Sequence, residues 1–129
     1  MERKILSVAA AIGMIAIILG AFGAHALKKV LNLEQLNTFE TGVKYQMYHA
    51  LFLLFIATTS ILSDTVKKRI SYLVVVGIVF FSGSIYLLAT NDLTSFDFRV
   101  IGFVTPIGGL LLICSWLWLF IEAYKRVKP

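Results

Sequence analysis

The chain contains two histidines, His25 and His49, and each lies in or beside a stretch without charge. An imidazole near its ordinary pKa of about 6.5 can carry a proton, accept a hydrogen bond or ligate a metal. Tyr45 lies four residues before His49 and Gln46 three before it, so in a helix all three share a face. Glu40 and Lys44 form an i,i+4 pair in the favourable order. An ionisable group at membrane depth is by default a functional hypothesis. His25, His49, Tyr45, Gln46, Lys44 and Glu40 are therefore the candidate site for a ligand or a proton, with Asp92 and Asp97 on the same side. Three chemistries stay open for the histidines. They can tie helices as neutral hydrogen-bonding groups, hold a proton or ligand, or bind a metal. Two histidines fall below the usual count of about four metal ligands, so no metal site is expected. No cofactor or catalytic residue is expected either, because no GxSxG, HExxH, CxxC or Walker pattern occurs. "GAFGA", residues 20–24, follows a helix rather than a strand and makes no nucleotide loop. The single cysteine, Cys114, reads as a small packing residue, since one thiol makes no intrachain disulfide and no metal framework.

The elements that must position these groups are long and apolar. Of 129 residues, 59% are hydrophobic and 15% charged, against about 25% charged in an ordinary soluble domain. The excess sits in uncharged runs, each long enough to cross roughly 30 Å of hydrocarbon as a helix. The reading is a single all-α membrane domain over 1–129, a four-helix bundle with spans at about 5–25, 45–63, 70–90 and 100–121. A signal-peptide reading of the first run fails on length, because such apolar regions run to about 15 residues. Between spans 1 and 2, Leu33, Leu36, Phe39 and Val43 recur at helical spacing. They predict an amphipathic helix on the outer surface that bends into span 2 or runs on as one with it, with Asn32 as its cap.

Small residues predict the close contacts. Ala9 and Gly13, then Ala16, Gly20 and Ala24, make a small-xxx-small stripe, with Gly23 beside it. The stripe serves either packing within one bundle or a homodimer seam. Gly83, Gly108 and Gly109 are further packing candidates. Pro106 is expected to break the last span in its second turn, by removing a donor and colliding with the preceding turn.

Charge gives the orientation. Eight basic residues (Arg3, Lys4, Lys67, Lys68, Arg69, Lys125, Arg126, Lys128) share one side with three acids; the other side holds four of each. Loops rich in Lys and Arg stay cytoplasmic, so both termini are expected inside. That face suits anionic headgroups. No basic patch interleaved with aromatics points to nucleic acid. Trp116, Trp118 and Tyr124 read as an inner aromatic belt, Tyr45 and Tyr48 as an outer one.

"GAFGAHAL", "TGVKYQMYHALFLL", "SGSIYLL" and "GFVTPIGGLLLICSWLWL" together resemble the small four-span YwdK/YgdD-type family of bacterial membrane proteins, domain of unknown function 423, which has transmembrane protein 256 among its relatives. The resemblance covers nearly the whole chain. It implies a multi-pass protein of the bacterial plasma (inner) membrane without an assigned biochemical activity. The motif residues it carries over are Gly20, Gly23, His25, Tyr45, Gln46, His49, Gly83, Pro106, Gly108 and Gly109. The function expected is non-enzymatic: an outer-facing pocket for a small ligand, lipid or proton, connected with transport. The alternative is an accessory or structural subunit. The expected partners are the bilayer and a homo-oligomer or larger membrane complex.

Overall fold

The computed structural model describes residues 2–127. Among the described residues every regular element is helical; Lys128, counted above with the basic face, lies outside them. Helix α1 runs unbroken over Glu2–His25, and a single 3₁₀ turn, Leu27–Lys29, follows it. Helix α2 then covers Leu33–Thr58 as one rod. The surface helix and the second expected span are thus the same element, the run-on form. Asn32 starts it with a reciprocal cap. Its side chain accepts from the Gln35 amide at 2.8 Å, and the Gln35 side chain accepts from the Asn32 amide at 3.0 Å. Two of the helix's orphan donors are satisfied this way.

Helix α2 stops at Thr58, short of the expected boundary at Ser63. The reason is local. Thr59 takes an extended conformation and accepts from the Ile61 amide at 3.3 Å, while Ser63 caps the next helix through the Val66 amide. Ser and Thr side chains compete with helix by bonding nearby backbone. Helix α3, Asp64–Ile78, continues through a π-turn, Val79–Gly83, into α4, Ser84–Ala89. Two 3₁₀ turns, Asn91–Leu93 and Phe98–Ile101, lead to α5, Val104–Val127.

Pro106 does not break a helix. The last span was expected to begin near Val100, but that stretch is a 3₁₀ turn, and Pro106 is the third residue of α5. The first four amides of a helix have no partner within it, so the missing N–H costs nothing there.

Three rods are long and apolar enough to cross a membrane: Glu2–Lys29, Asp64–Ala89 and Phe98–Arg126. Helix α2 is equally long but carries Glu34, Glu40 and Lys44 in its first half. It is the inner rod. Phe39, Gly42, Gln46, His49, Phe52, Leu53 and Ile56 are all buried along it. Leu53, Ile56, Ile70 and Val74 have no exposed surface at all. Outward faces are apolar instead, with Ile17 on α1 66% exposed and Ile113 on α5 64% exposed.

Helix α1 lies antiparallel along α2. A Cβ on Gly13 would sit 3.6 Å from Ala50, one on Gly20 3.4 Å from Val43, and one on Gly23 3.1 Å from the Phe39 ring. The small-residue stripe therefore packs inside the bundle. On α5, a Cβ at Gly108 would be driven into the backbone of the π-turn, 2.7 Å from the Phe80 carbonyl carbon and 2.8 Å from the Phe81 Cα. Gly109 meets only the Phe81 ring, at 3.5 Å. Gly83 has nothing within 4 Å, so its expected packing role fails; it closes the π-turn on a side that no neighbour approaches.

Candidate functional site

The register of α1 on α2 separates the two histidines. Gly13 stands opposite Ala50 and Gly23 opposite Phe39, which sets His49 level with about Met14 and His25 level with about Thr38. They are offset by roughly 16 Å along the bundle at 1.5 Å per residue. His25 is exposed at the end of α1 and His49 is buried. A span 2 that begins at about residue 45 puts His25 and His49 at similar depth, but α2 begins three turns earlier. Glu40, Lys44 and Tyr45 are exposed on α2. Among the described residues the ion pairs are Glu2–Lys67, Asp97–Arg99 and Glu122–Lys125, so Glu40 and Lys44 do not pair. The structure brings together only Tyr45, Gln46 and His49 from the expected group.

Those residues form ties between helices. His49 Nδ1 lies 2.7 Å from the Tyr45 carbonyl, and Trp116 Nε1 on α5 donates to His49 Nε2 at 3.0 Å. A carbonyl only accepts and an indole N–H only donates. The ring is therefore neutral, with its proton on Nδ1, and both nitrogens are used. Gln46 does the same for three elements. Its Nε2 donates to the Ile12 carbonyl of α1 at 2.9 Å, and its Oε1 accepts from the Tyr86 hydroxyl of α4 at 2.5 Å. Beside them, Ser82 of the π-turn donates to the Gly42 carbonyl at 2.7 Å. That contact needs close approach, because a Cβ on Gly42 would lie 2.7 Å from the Tyr86 ring. Ser84 and Thr105 join α4 to α5. Aromatic rings seal the layer: Phe52 packs on Trp116 with centroids 4.2 Å apart, and Tyr45 on Phe81 at 5.0 Å.

Trp116 is thus no belt residue. It lies about 18 Å along α5 from Val104 at 1.5 Å per residue. Cys114 is exposed, and its expected packing role fails because it falls on the outward face of α5.

Lys67 is not the ordinary cytoplasmic charge that its place beside Lys68 and Arg69 suggests. Lys67 is only 2% exposed. Its ammonium donates to Glu2 at 2.8 Å and to the Ala57 carbonyl at 3.2 Å. Ala57 belongs to the last turn of α2, where carbonyls lack helical partners and the dipole favours a cation. One lysine therefore joins the start of α1, the end of α2 and the first turn of α3. The only signal in the sequence is its place, three residues after the helix-starting Asp64.

At the other end, Gln35 of α2 donates to Asp92 at 2.7 Å. Asn91 accepts from the Phe98 amide at 2.6 Å. The Arg99 guanidinium pulls the Asp97 carboxyl down to about 2, by two hydrogen bonds of 3.0 Å. These acids order the loop between α4 and α5 and do not reach His49.

Three cavities stand out, and neither histidine lines any of them. One is a hollow on α2 alone, at Leu33–Thr41. The other two, of about 320 and 400 Å³, lie between α1 and the α3 rod and share Val8 and Val75 in their walls. Together they form one groove, with Lys4, Lys68, Ser71 and Tyr72 at the basic end and Gln46 and Tyr86 at the other.

Comparison with known proteins agrees with the apolar rods. The family described as "Protein of unknown function (DUF423)" matches residues 19–109. A UPF0382 membrane protein of Staphylococcus saprophyticus is 44% identical over 112 residues, covering 87% of this chain and 89% of its own. The UPF0382 membrane protein YwdK of Bacillus subtilis is 37% identical over 117 residues, covering 87% and 89%. The UPF0382 inner membrane protein YgdD of Escherichia coli is 35% identical over 131 residues, covering 96% and 92%. No solved structure matches.

Proposed function

The chain belongs to the DUF423 family of membrane proteins, and on that premise we propose that it is a four-span, non-enzymatic accessory protein of the bacterial plasma membrane with both termini in the cytoplasm. The observation that carries this reading is the bond pattern of His49 and Gln46. His49 is bonded at one nitrogen to its own helix and at the other to α5, and Gln46 bonds α1 and α4, so both ring nitrogens and both ends of the amide are already engaged within the bundle. In lipid no hydrophobic force holds helices together, so close packing and such bonds must do it. A bundle organised in this way works by what it presents on its surface, to lipid or to a larger complex.

The register supports four spans. Helix α2 lies along α1 from Phe39 to Ala50, so if α1 crosses the bilayer α2 crosses with it. The charges on the first half of α2 then fall towards the outer surface, and the apolar half lies inside the bundle. Among the described residues, Arg3, Lys4, Lys67, Lys68, Arg69, Lys125 and Arg126 lie at the same end of the bundle, at the start of α1, the start of α3 and the end of α5, which supports cytoplasmic termini.

Reporter fusions at each terminus test the topology, because an even number of spans puts both on one side. Two cytoplasmic reporters are expected; opposite sides would leave three spans. Proteoliposomes carrying an internal pH dye test the absence of a conduit. An imposed proton gradient should decay as in empty vesicles, and a faster decay that His49→Phe abolishes would overturn the reading.

A further inference from the structure

The groove between α1 and the α3 rod contains an unexplained polar atom. Ser71 is nine-tenths buried, lines the groove, and its hydroxyl has no hydrogen-bond partner. Helical hydroxyls ordinarily bond the carbonyl four residues back. Ser7, Thr38, Thr41, Thr58 and Thr90 all do so here, at 2.8–3.0 Å. Ser71 does not. A buried hydroxyl left without a bond is costly, and it is accounted for if something that accepts or donates normally fills the cavity.

The surroundings specify what that is. Lys4 and Lys68 stand at the mouth, and neither is in an ion pair among the described residues. Lys68 is held over the Tyr72 ring, 6.0 Å from its centroid. Behind them the walls are Ile5, Val8, Leu53 and Val75, and the groove continues past Ile12 and Ile78 for most of the depth of the bundle. Two cations, one buried hydroxyl and a long apolar trough match a negatively charged head on a chain.

We propose that this groove binds an anionic phospholipid. The phosphodiester lies between Lys4 and Lys68, the Ser71 hydroxyl turns from its enclosed position into the groove to bond an ester carbonyl, and one acyl chain follows Val8 and Val75 towards Ile12. The α1–α2 seam is filled by its own side chains; in the α1–α3 groove a lipid completes the packing. The site goes beyond the accessory role and does not depend on it.

The test is lipid binding to the full chain, purified in mild detergent, by native mass spectrometry. Phosphatidylglycerol, phosphatidylcholine with the same chains, and palmitate are the probes. Orientation does not enter, so a failure of the topology above would not affect the readout. One phosphatidylglycerol should bind at least about fivefold more tightly than phosphatidylcholine. The Lys4→Gln/Lys68→Gln double variant should weaken phosphatidylglycerol about 25-fold, near fivefold per lysine, and leave phosphatidylcholine unchanged. Ser71→Ala, which removes an unbonded atom and so keeps the fold, should weaken both phospholipids about fivefold. Lys125→Gln/Arg126→Gln, on the same face away from the groove, should change nothing. Equal binding of the two phospholipids, or equal loss in the control variant, would overturn the site. Palmitate as tight as phosphatidylglycerol would overturn the phospholipid in favour of a simple carboxylate.

Discussion

The two sides of α1 are built differently. Towards α2 it presents Gly13, Ala16, Gly20 and Gly23, and the helices meet so closely that a Cβ on Gly23 would crowd the Phe39 ring at 3.1 Å. Polar groups at that seam are bonded, as Gln46 is to the Ile12 carbonyl. Towards the α3 rod α1 presents Ile5, Val8, Ile12 and Ile15. There the helices stand apart, the space between them stays open, and Ser71 has no partner. The difference follows from membrane physics. Small residues let backbones approach until dispersion and hydrogen bonds hold them. Branched side chains keep helices apart, and in lipid nothing forces the gap to close. One face of a single helix is thus a structural seam and the other a trough.

That contrast can be broken by filling what is closed. The largest effect is expected at Gly108. Ala there drives a methyl into the Phe80–Phe81 backbone, which a rigid π-turn cannot yield easily, and should cost about 3 kcal/mol in detergent unfolding. Lys67→Met comes next. It removes the bond that caps the Ala57 carbonyl and should cost about 2 kcal/mol, the usual size for a charged donor. Trp116→Phe keeps a ring against Phe52 but leaves His49 Nε2 without its donor. It should cost about 1 kcal/mol or less, as single bonds between membrane helices do. Gly83→Ala enters open space, and unfolding should shift by no more than about 0.5 kcal/mol. A destabilisation at Gly83 as large as that at Gly108 would mean that the packing assigned to these helices is wrong.

The weakest lever is pH at the loop between α4 and α5. Asp97 has its carboxyl pulled from 3.8 to about 2 by Arg99. A depressed acid contributes order above its unfolded value and loses it as pH falls towards the folded one. The protection of the Phe98 and Arg99 amides against exchange, relative to the unstructured chain, should therefore stay flat above about pH 4 and fall only towards pH 2. Because the pair is exposed, 1 M salt, with a Debye length of about 3 Å, should remove most of this dependence.

Much of this architecture was legible in the residues. Uncharged runs located α1, α5 and the α3 rod, Asn32 marked the start of α2, and the glycine stripe announced a close seam. What could not be read was which surfaces meet. Depth for His49 and Trp116 was inferred from where charge ends, yet α2 carries its charged first half as helix, which moves His49 to the middle of the rod. Pro106 was read as a break because helix and 3₁₀ turn look alike in an apolar run. Lys67 and Gly42 were missed because their roles depend on partners 65 and 40–44 residues away in the chain. The unbonded Ser71 leaves no trace in sequence at all.

The bonding of the bundle centres on His49 as a neutral tie between α2 and α5. The direct measurement is the ¹⁵N spectrum of its ring, in the full chain in lipid nanodiscs at neutral pH. A proton on Nδ1 and a bare Nε2 coupled to the Trp116 indole proton is the predicted result. A proton on Nε2, a doubly protonated ring or an averaged pair of tautomers would contradict it, and would return His49 to the role of a proton or ligand site.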